Sequence, residues 1–136
     1  MMLYLDTNIL VYSLVNQDND KMLASQALIN QSIADSILVL SPLSLQELAF
    51  TLAKLNVPKT TIIDSFNAFK TYVKQEIDVA LCDSAFQLAL SSNMFLNFND
   101  AIHAKFAEQH ASKLVTYDRG FRKFQRHISL RIEVLL

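Results

Sequence analysis

Four acids dominate the chemistry that this chain could perform: Asp6, Glu47, Asp100 and Asp118. The single cysteine, Cys82, excludes an internal disulfide and a cysteine-based zinc site. The three histidines form no spaced pair. If the acids converge, they must repel. Two carboxylates about 4 Å apart cost roughly 4 kcal/mol at an effective dielectric near 20. Protons or a divalent cation would relieve that cost. An oxygen-only donor set selects Mg²⁺ or Mn²⁺ over zinc. Such an ion takes few carboxylates and leaves room for a substrate phosphate, so the matching chemistry is metal-assisted phosphodiester hydrolysis.

Convergence depends on the elements that carry the acids. Leu3–Leu5 reads as a strand, followed by a short helix over Asn8–Leu14 and a loop at Asp18–Asp20. Met22, Leu23, Ala27, Leu28 and Ile33 recur at helical spacing. Ser36–Ser41 reads as a second strand, and Ser41-Pro42 starts a helix because proline is tolerated in a first turn. Pro58 opens a further helix carrying Ile62, Ile63, Phe66, Phe69 and Val73. Glu76–Leu81 is expected as a third strand, Lys113–Tyr117 as a fourth and Arg131–Leu135 as a fifth. Helices are expected over Asp83–Ser92 and Asn99–His110. Apolar strands alternating with helices predict one α/β domain over residues 1–136, with a mostly parallel sheet of four to five strands and helices on both faces.

Ligands of open parallel sheets bind at the carboxyl ends of the strands. Asp6 directly follows the first strand, and Asp118 follows the fourth by one residue. Asp100 and Glu47 lie early in helices that begin at the same edge. Each acid also has a structural explanation. Asp6 and Asp100 suit the positive end of a helix. Glu47 could close a capping box with Ser44, and Asp118-Arg119-Gly120 could be a turn. His103, three residues after Asp100 on the same helical face, is either a substrate contact or a structural histidine. The helix aromatics Phe66, Phe69, Phe86 and Phe106 are expected in the core.

No stretch approaches the roughly 20 apolar residues of a membrane helix, and Asp6 interrupts any signal-like start, so a cytoplasmic protein with no membrane association is expected. The single glycine, Gly120, rules out both the dinucleotide fingerprint and the P-loop. Net charge is −1 but uneven: residues 1–112 hold six Lys/Arg against eleven Asp/Glu, and residues 113–136 hold six against two. A basic stretch of that kind suits contact with a polyanion or plain solvation. Apolar content of 51%, with wide apolar faces on Leu43–Leu55 and Ile62–Val73, predicts self-association.

The motifs LDTNIL (Leu5–Leu10), SxxELA (Ser44–Ala49), NFNDAIHAKFA (Asn97–Ala107) and LVTYDRGFRKF (Leu114–Phe124) cover almost the whole chain in order. With them the chain resembles the PIN domains and, within these, the VapC-type ribonuclease toxins of bacterial toxin–antitoxin pairs. The resemblance implies a Mg²⁺- or Mn²⁺-dependent endoribonuclease, usually dimeric, inhibited by a cognate antitoxin. It places Asp6, Glu47, Asp100 and Asp118 as catalytic metal ligands. Thr7, Asn8 and Thr116 would orient carboxylates or water. Arg119, Arg122, Lys123 and Arg126 could hold the RNA backbone near the metal. Many relatives carry a glycine where this chain has Gln109-His110-Ala111-Ser112, a departure that bears on a turn and not on the acids. Two other readings remain. One is a non-catalytic binding module on the same fold, whose mark would be loss of an acid. The other is a haloacid-dehalogenase-like phosphatase, which needs a second acid where Asn8 stands.

Overall fold

The computed structural model describes residues 1–136. The elements run β1 (Leu3–Leu5), α1 (Thr7–Leu14), α2 (Asn19–Ala34), β2 (Leu38–Val39), α3 (Pro42–Lys54), α4 (Lys59–Lys70), α5 (Val79–Ser92), α6 (Phe98–His110), β3 (Lys113–Thr116) and β4 (Arg131–Val134). Short 3₁₀ segments occupy Phe95–Asn97 and Arg119–His127. The four strands form one sheet in the order β2-β1-β3-β4. Every pairing is parallel, with Leu3 opposite Leu38 and Lys113, and Lys113 opposite Arg131.

Strand alternation divides the core in two. Tyr4, Val39 and Leu114 point to one face and pack with Leu81, Leu88, Phe106, Phe121 and Phe124 from α5, α6 and the second 3₁₀ segment. Leu3, Leu5, Leu38 and Val115 point to the other and pack with Ile9, Leu10, Leu48, Leu52 and Phe69 from α1, α3 and α4. Both faces are covered, which is why the strands are continuous apolar runs. No helix is long and apolar enough to cross a membrane.

Two expectations need correction. Glu76–Leu81 is not a strand: Asp78 caps α5, its side chain accepting from Leu81 N at 2.8 Å, and the helix starts at Val79. An aspartate three residues ahead of a free N–H outcompetes the β-branched residues around it. The edge beside β2 is finished instead by a single parallel bridge between Leu40 and Val73. The helical spacing of Met22, Leu23, Ala27, Leu28 and Ile33 is borne out by α2, whose buried face is Ser25, Ile29 and Ser32, while Leu23 and Ile33 are exposed. Ser25 and Ser32 can be buried because each hydroxyl has a partner, Tyr117 and the Leu28 carbonyl. Finally, Phe106 and Phe69 are core, but Phe86 is exposed on α5, where its ring meets those of Phe95 and Phe98.

Candidate metal centre

The sheet's carboxyl edge opens into a cleft of about 880 Å³ whose wall includes Asp6, Glu47, Asp100 and Asp118. Asp6 leaves β1 in an extended conformation, and its N–H is held by the Val115 carbonyl of β3 at 2.9 Å. Its carboxylate caps α1, accepting from Thr7 N at 2.8 Å, and its other oxygen accepts from Thr116 Oγ1 at 2.7 Å. The helix-cap role is therefore real, but it uses only one oxygen. Asp6 is 6% exposed. Burial raises its pKa, against the pull of His103 and of its hydrogen bonds to Thr116 and Thr7.

Glu47 does not close a capping box. Ser41 and Ser44 form that box at the start of α3, which leaves Glu47 free one turn further on. Its Oε1 accepts from Thr7 Oγ1 at 2.8 Å and from His103 Nε2 at 2.6 Å; its Oε2 accepts from Asn99 at 3.4 Å. Burial opposes ionisation of Glu47, but the hydrogen bond and charge of His103 outweigh it and hold the pKa below the usual value. Burial likewise opposes the His103 cation, and the Tyr4 oxygen, Glu47 and Asp6 overcome it, so the ring titrates well above its ordinary range.

Asp100 differs from both. In the first turn of α6, it receives no hydrogen bond from the chain, and burial with the nearby charges of Asp6, Asp118 and Glu47 pushes its pKa up to about 7, His103 opposing. Asp118 lies at the exposed rim, its carboxylate turned back onto Gly120 N at 2.8 Å. A Cβ on residue 120 would stand 3.0 Å from that carboxylate oxygen, so a larger residue there would require the Asp118 side chain to shift.

Thr116 links the acids: its hydroxyl donates to Asp6 and accepts from Asp118 N at 2.9 Å and from Asn8 Nδ2 at 3.4 Å. Arg119, Arg122, Lys123 and Arg126 lie on the second 3₁₀ segment and none lines the cleft. The one basic residue in the cleft wall is Lys54, at the end of α3. Sequence reasoning missed Lys54, Asn99 and Tyr4. Asn99 had a signal, standing beside Asp100 in NFNDAIH; Lys54 and Tyr4 had none.

The donor set suits a hard divalent cation. Oxygen atoms from Asp6 and Glu47 lie within 4.8 Å of one another, beside the His103 ring, whose two nitrogens are taken up by Glu47 and Tyr4 and are not free to ligate. Asp100 brings a carboxylate with no donor on it. Asn8 Oδ1 is buried without a partner, a further oxygen with unmet capacity.

This combination defines the chain as a parallel α/β domain with an acid-lined cleft at the carboxyl edge of its sheet. The family model for the PIN domain matches residues 3–126, and the chain belongs to that family. Among solved structures, a chain of VapBC2 from Rickettsia felis, bound to a DNA fragment from its promoter, superposes with a TM-score of 0.69 at 19% identity over 100% of both chains. A chain of FitAcB from Neisseria gonorrhoeae superposes with a TM-score of 0.62 at 20% identity, over 97% of this chain and 96% of that one. A search of the curated proteins finds no match.

Proposed function

We propose that the chain is a Mg²⁺- or Mn²⁺-dependent endoribonuclease, the toxin of a toxin–antitoxin pair, acting in the cytoplasm and restrained by a cognate antitoxin. One observation carries the reading: four acids from distant parts of the chain line a single cleft, and their mutual repulsion helps to push Asp100 to about 7. A structural cluster gains nothing from such repulsion, whereas a cation site needs it relieved by the ion. Asp6, Glu47, Asp100 and Asp118 would hold the ion. When bound, it would activate water and offset charge on the phosphoryl oxygens. Thr116 and Thr7 fix Asp6 and Glu47, and Asn8 braces Thr116. The VapBC2 and FitAcB neighbours, both complexes by name, support the toxin and antitoxin assignment.

RNA would run over the cleft with Lys54 inside it and Arg119, Arg122, Lys123 and Arg126 holding backbone outside. The purified protein is expected to cut RNA with Mg²⁺ or Mn²⁺ and to stop with EDTA. Undiminished cleavage in EDTA excludes the metal mechanism. In binding titrations over a range of salt, Lys54→Ala, Arg122→Ala and Lys123→Ala should each weaken RNA binding. Each should also flatten the salt dependence by about one unit for every phosphate the residue neutralises. A variant with wild-type salt dependence removes its residue from the RNA path. The binding-module alternative predicts RNA affinity without cleavage. The phosphatase alternative is disfavoured because the position of the required acid holds Asn8, an amide that cannot act as a general acid or base.

We also propose a homodimer. Phe50, Leu55 and Ile63 are exposed on or beside α3 and α4, and Phe86, Leu90 and Leu96 on or beside α5. Phe50 and Leu55 also line the cleft, which leaves Ile63 and the α5 group as the apolar surface a second copy would cover. Sedimentation equilibrium at micromolar concentration should report about twice the 15.4 kDa chain mass. A monomer would leave those faces to the antitoxin.

A further inference from the structure

Behind Glu47 lies a closed chain of side chains that is sealed from solvent. His103 and Tyr4 are both 0% exposed. His103 Nε2 donates to Glu47 Oε1 at 2.6 Å, and its Nδ1 bonds the Tyr4 hydroxyl. The same hydroxyl meets Ser41 Oγ at 2.9 Å and Ser44 Oγ at 3.1 Å. Those two serines are the capping box of α3, the helix that carries Glu47. One network therefore ties together a central strand, the start of α3 and the middle of α6. It grips Glu47 at both ends: the box fixes the helix, and the ring fixes the carboxylate.

A histidine used only to fill the core would need one partner for each ring nitrogen, and any would serve. Here the exposed end of the network is a single carboxylate oxygen. That oxygen also takes the Thr7 hydroxyl at 2.8 Å, so two donors from opposite elements hold it. Oε2 carries only the long bond from Asn99. In either protonation state of the ring, Nε2 bears the hydrogen that faces Glu47.

We propose that His103 and Tyr4 are positioning residues for the metal centre: they hold Glu47 Oε1 in the cleft wall so that Oε2 is presented to the divalent cation. The inference rests on the metal-site reading above. Glutamate has three side-chain torsions, and ordering them before the ion arrives removes that cost from binding. Groups that orient a ligand typically change metal affinity by about 10–100-fold when removed.

The test is a double-mutant cycle on Mn²⁺ affinity, measured by titration calorimetry, with the melting temperature of each metal-free protein alongside. His103→Leu should weaken Mn²⁺ binding by about 10–100-fold. His103→Gln, whose amide can donate to Glu47 from the same side, should recover most of it. In a Glu47→Gln background, His103→Leu should cost nothing further, because its effect passes through that carboxylate. A purely structural histidine gives another pattern: a lowered melting temperature with Mn²⁺ affinity within about twofold of wild type. That pattern, or additive losses in the double variant, overturns the proposal. Should His103→Leu fail to fold, Tyr4→Phe, which removes one oxygen, enters the same cycle and is judged by the same two outcomes. Wild-type protein that binds no Mn²⁺ sinks the metal-site reading itself, and this inference with it. Binding in wild type with no change in the variants sinks this inference alone.

Discussion

Asp100→Asn is expected to reduce RNA cleavage by at least about 10²–10³-fold while raising the melting temperature of the metal-free protein. The two effects have one cause. A carboxylate on the cation contributes several kcal/mol of charge stabilisation, and each 1.36 kcal/mol removed is tenfold in rate. Without the cation the same charge is a burden, because burial and the charges of Asp6, Asp118 and Glu47 oppose it. A shift from 3.8 to about 7 corresponds to about 2 kcal/mol after allowance for solvent screening at a partly exposed site. In a domain of this size that is on the order of 5–10 °C. Asp100 accepts no hydrogen bond from the chain, so the amide breaks none. Asp6→Asn should abolish cleavage equally but gain less stability. Its two oxygens accept from Thr7 N and the Thr116 hydroxyl, and an amide can satisfy only one of those donors directly. Wild-type turnover in either variant, or a lowered metal-free melting temperature for Asp100→Asn, would count against the site as described.

Asp6, Asp100 and Asp118 were legible because each needs only its neighbours: an acid just after an apolar strand, or at the head of a helix leading back to one. Their meeting then follows from parallel topology. Glu47 was harder, since SxxE also has the form of a capping box; the Ser41-Pro42 helix start places Glu47 past the first turn, and the Ser41–Ser44 box at the head of α3 agrees with it. The strand expected over Glu76–Leu81 gave β-branched Ile77 and Val79 more weight than one aspartate. In the folded chain Val79 is 84% exposed, so its strand propensity had no buried surface to act on. Phe86 failed for a related reason: aromatic content predicts burial only where a face finds cover. The network from Tyr4 to His103 was beyond reach, because its ends are 99 residues apart and neither type nor spacing marks them as partners. The basic run after Asp118 was visible as charge, but its position outside the cleft depends on how the 3₁₀ segment turns away.

Acidity should oppose the metal with a definite sign. Mn²⁺ affinity is expected to rise by up to about tenfold per pH unit as pH approaches about 7, then to level off, because Asp100 must lose its proton to the incoming ion. The stability of the metal-free protein should move the other way. Between the ordinary value of 3.8 and about 7 the folded state holds the Asp100 proton and the unfolded state does not. Raising the pH through that window therefore destabilises the fold, and the full cost is present above about 7. Asp6, also raised, adds to the same trend. Glu47 runs oppositely but elsewhere: its lowered pKa gives stability that is present above 4.5 and lost only as pH falls further. His103, raised well above 6.5, contributes stability that is complete below 6.5 and is lost only as pH climbs through its elevated value. Between 4.5 and about 7, then, neither Glu47 nor His103 reverses the decline. Melting curves from about pH 5 to about pH 8 should fall without metal, and saturating Mn²⁺ should restore the most at the alkaline end. Calorimetry near pH 6 in buffers of different ionisation enthalpy should show about one proton released per ion bound. A Mn²⁺ affinity that stays flat over this range would mean that Asp100 does not share its charge with the cation.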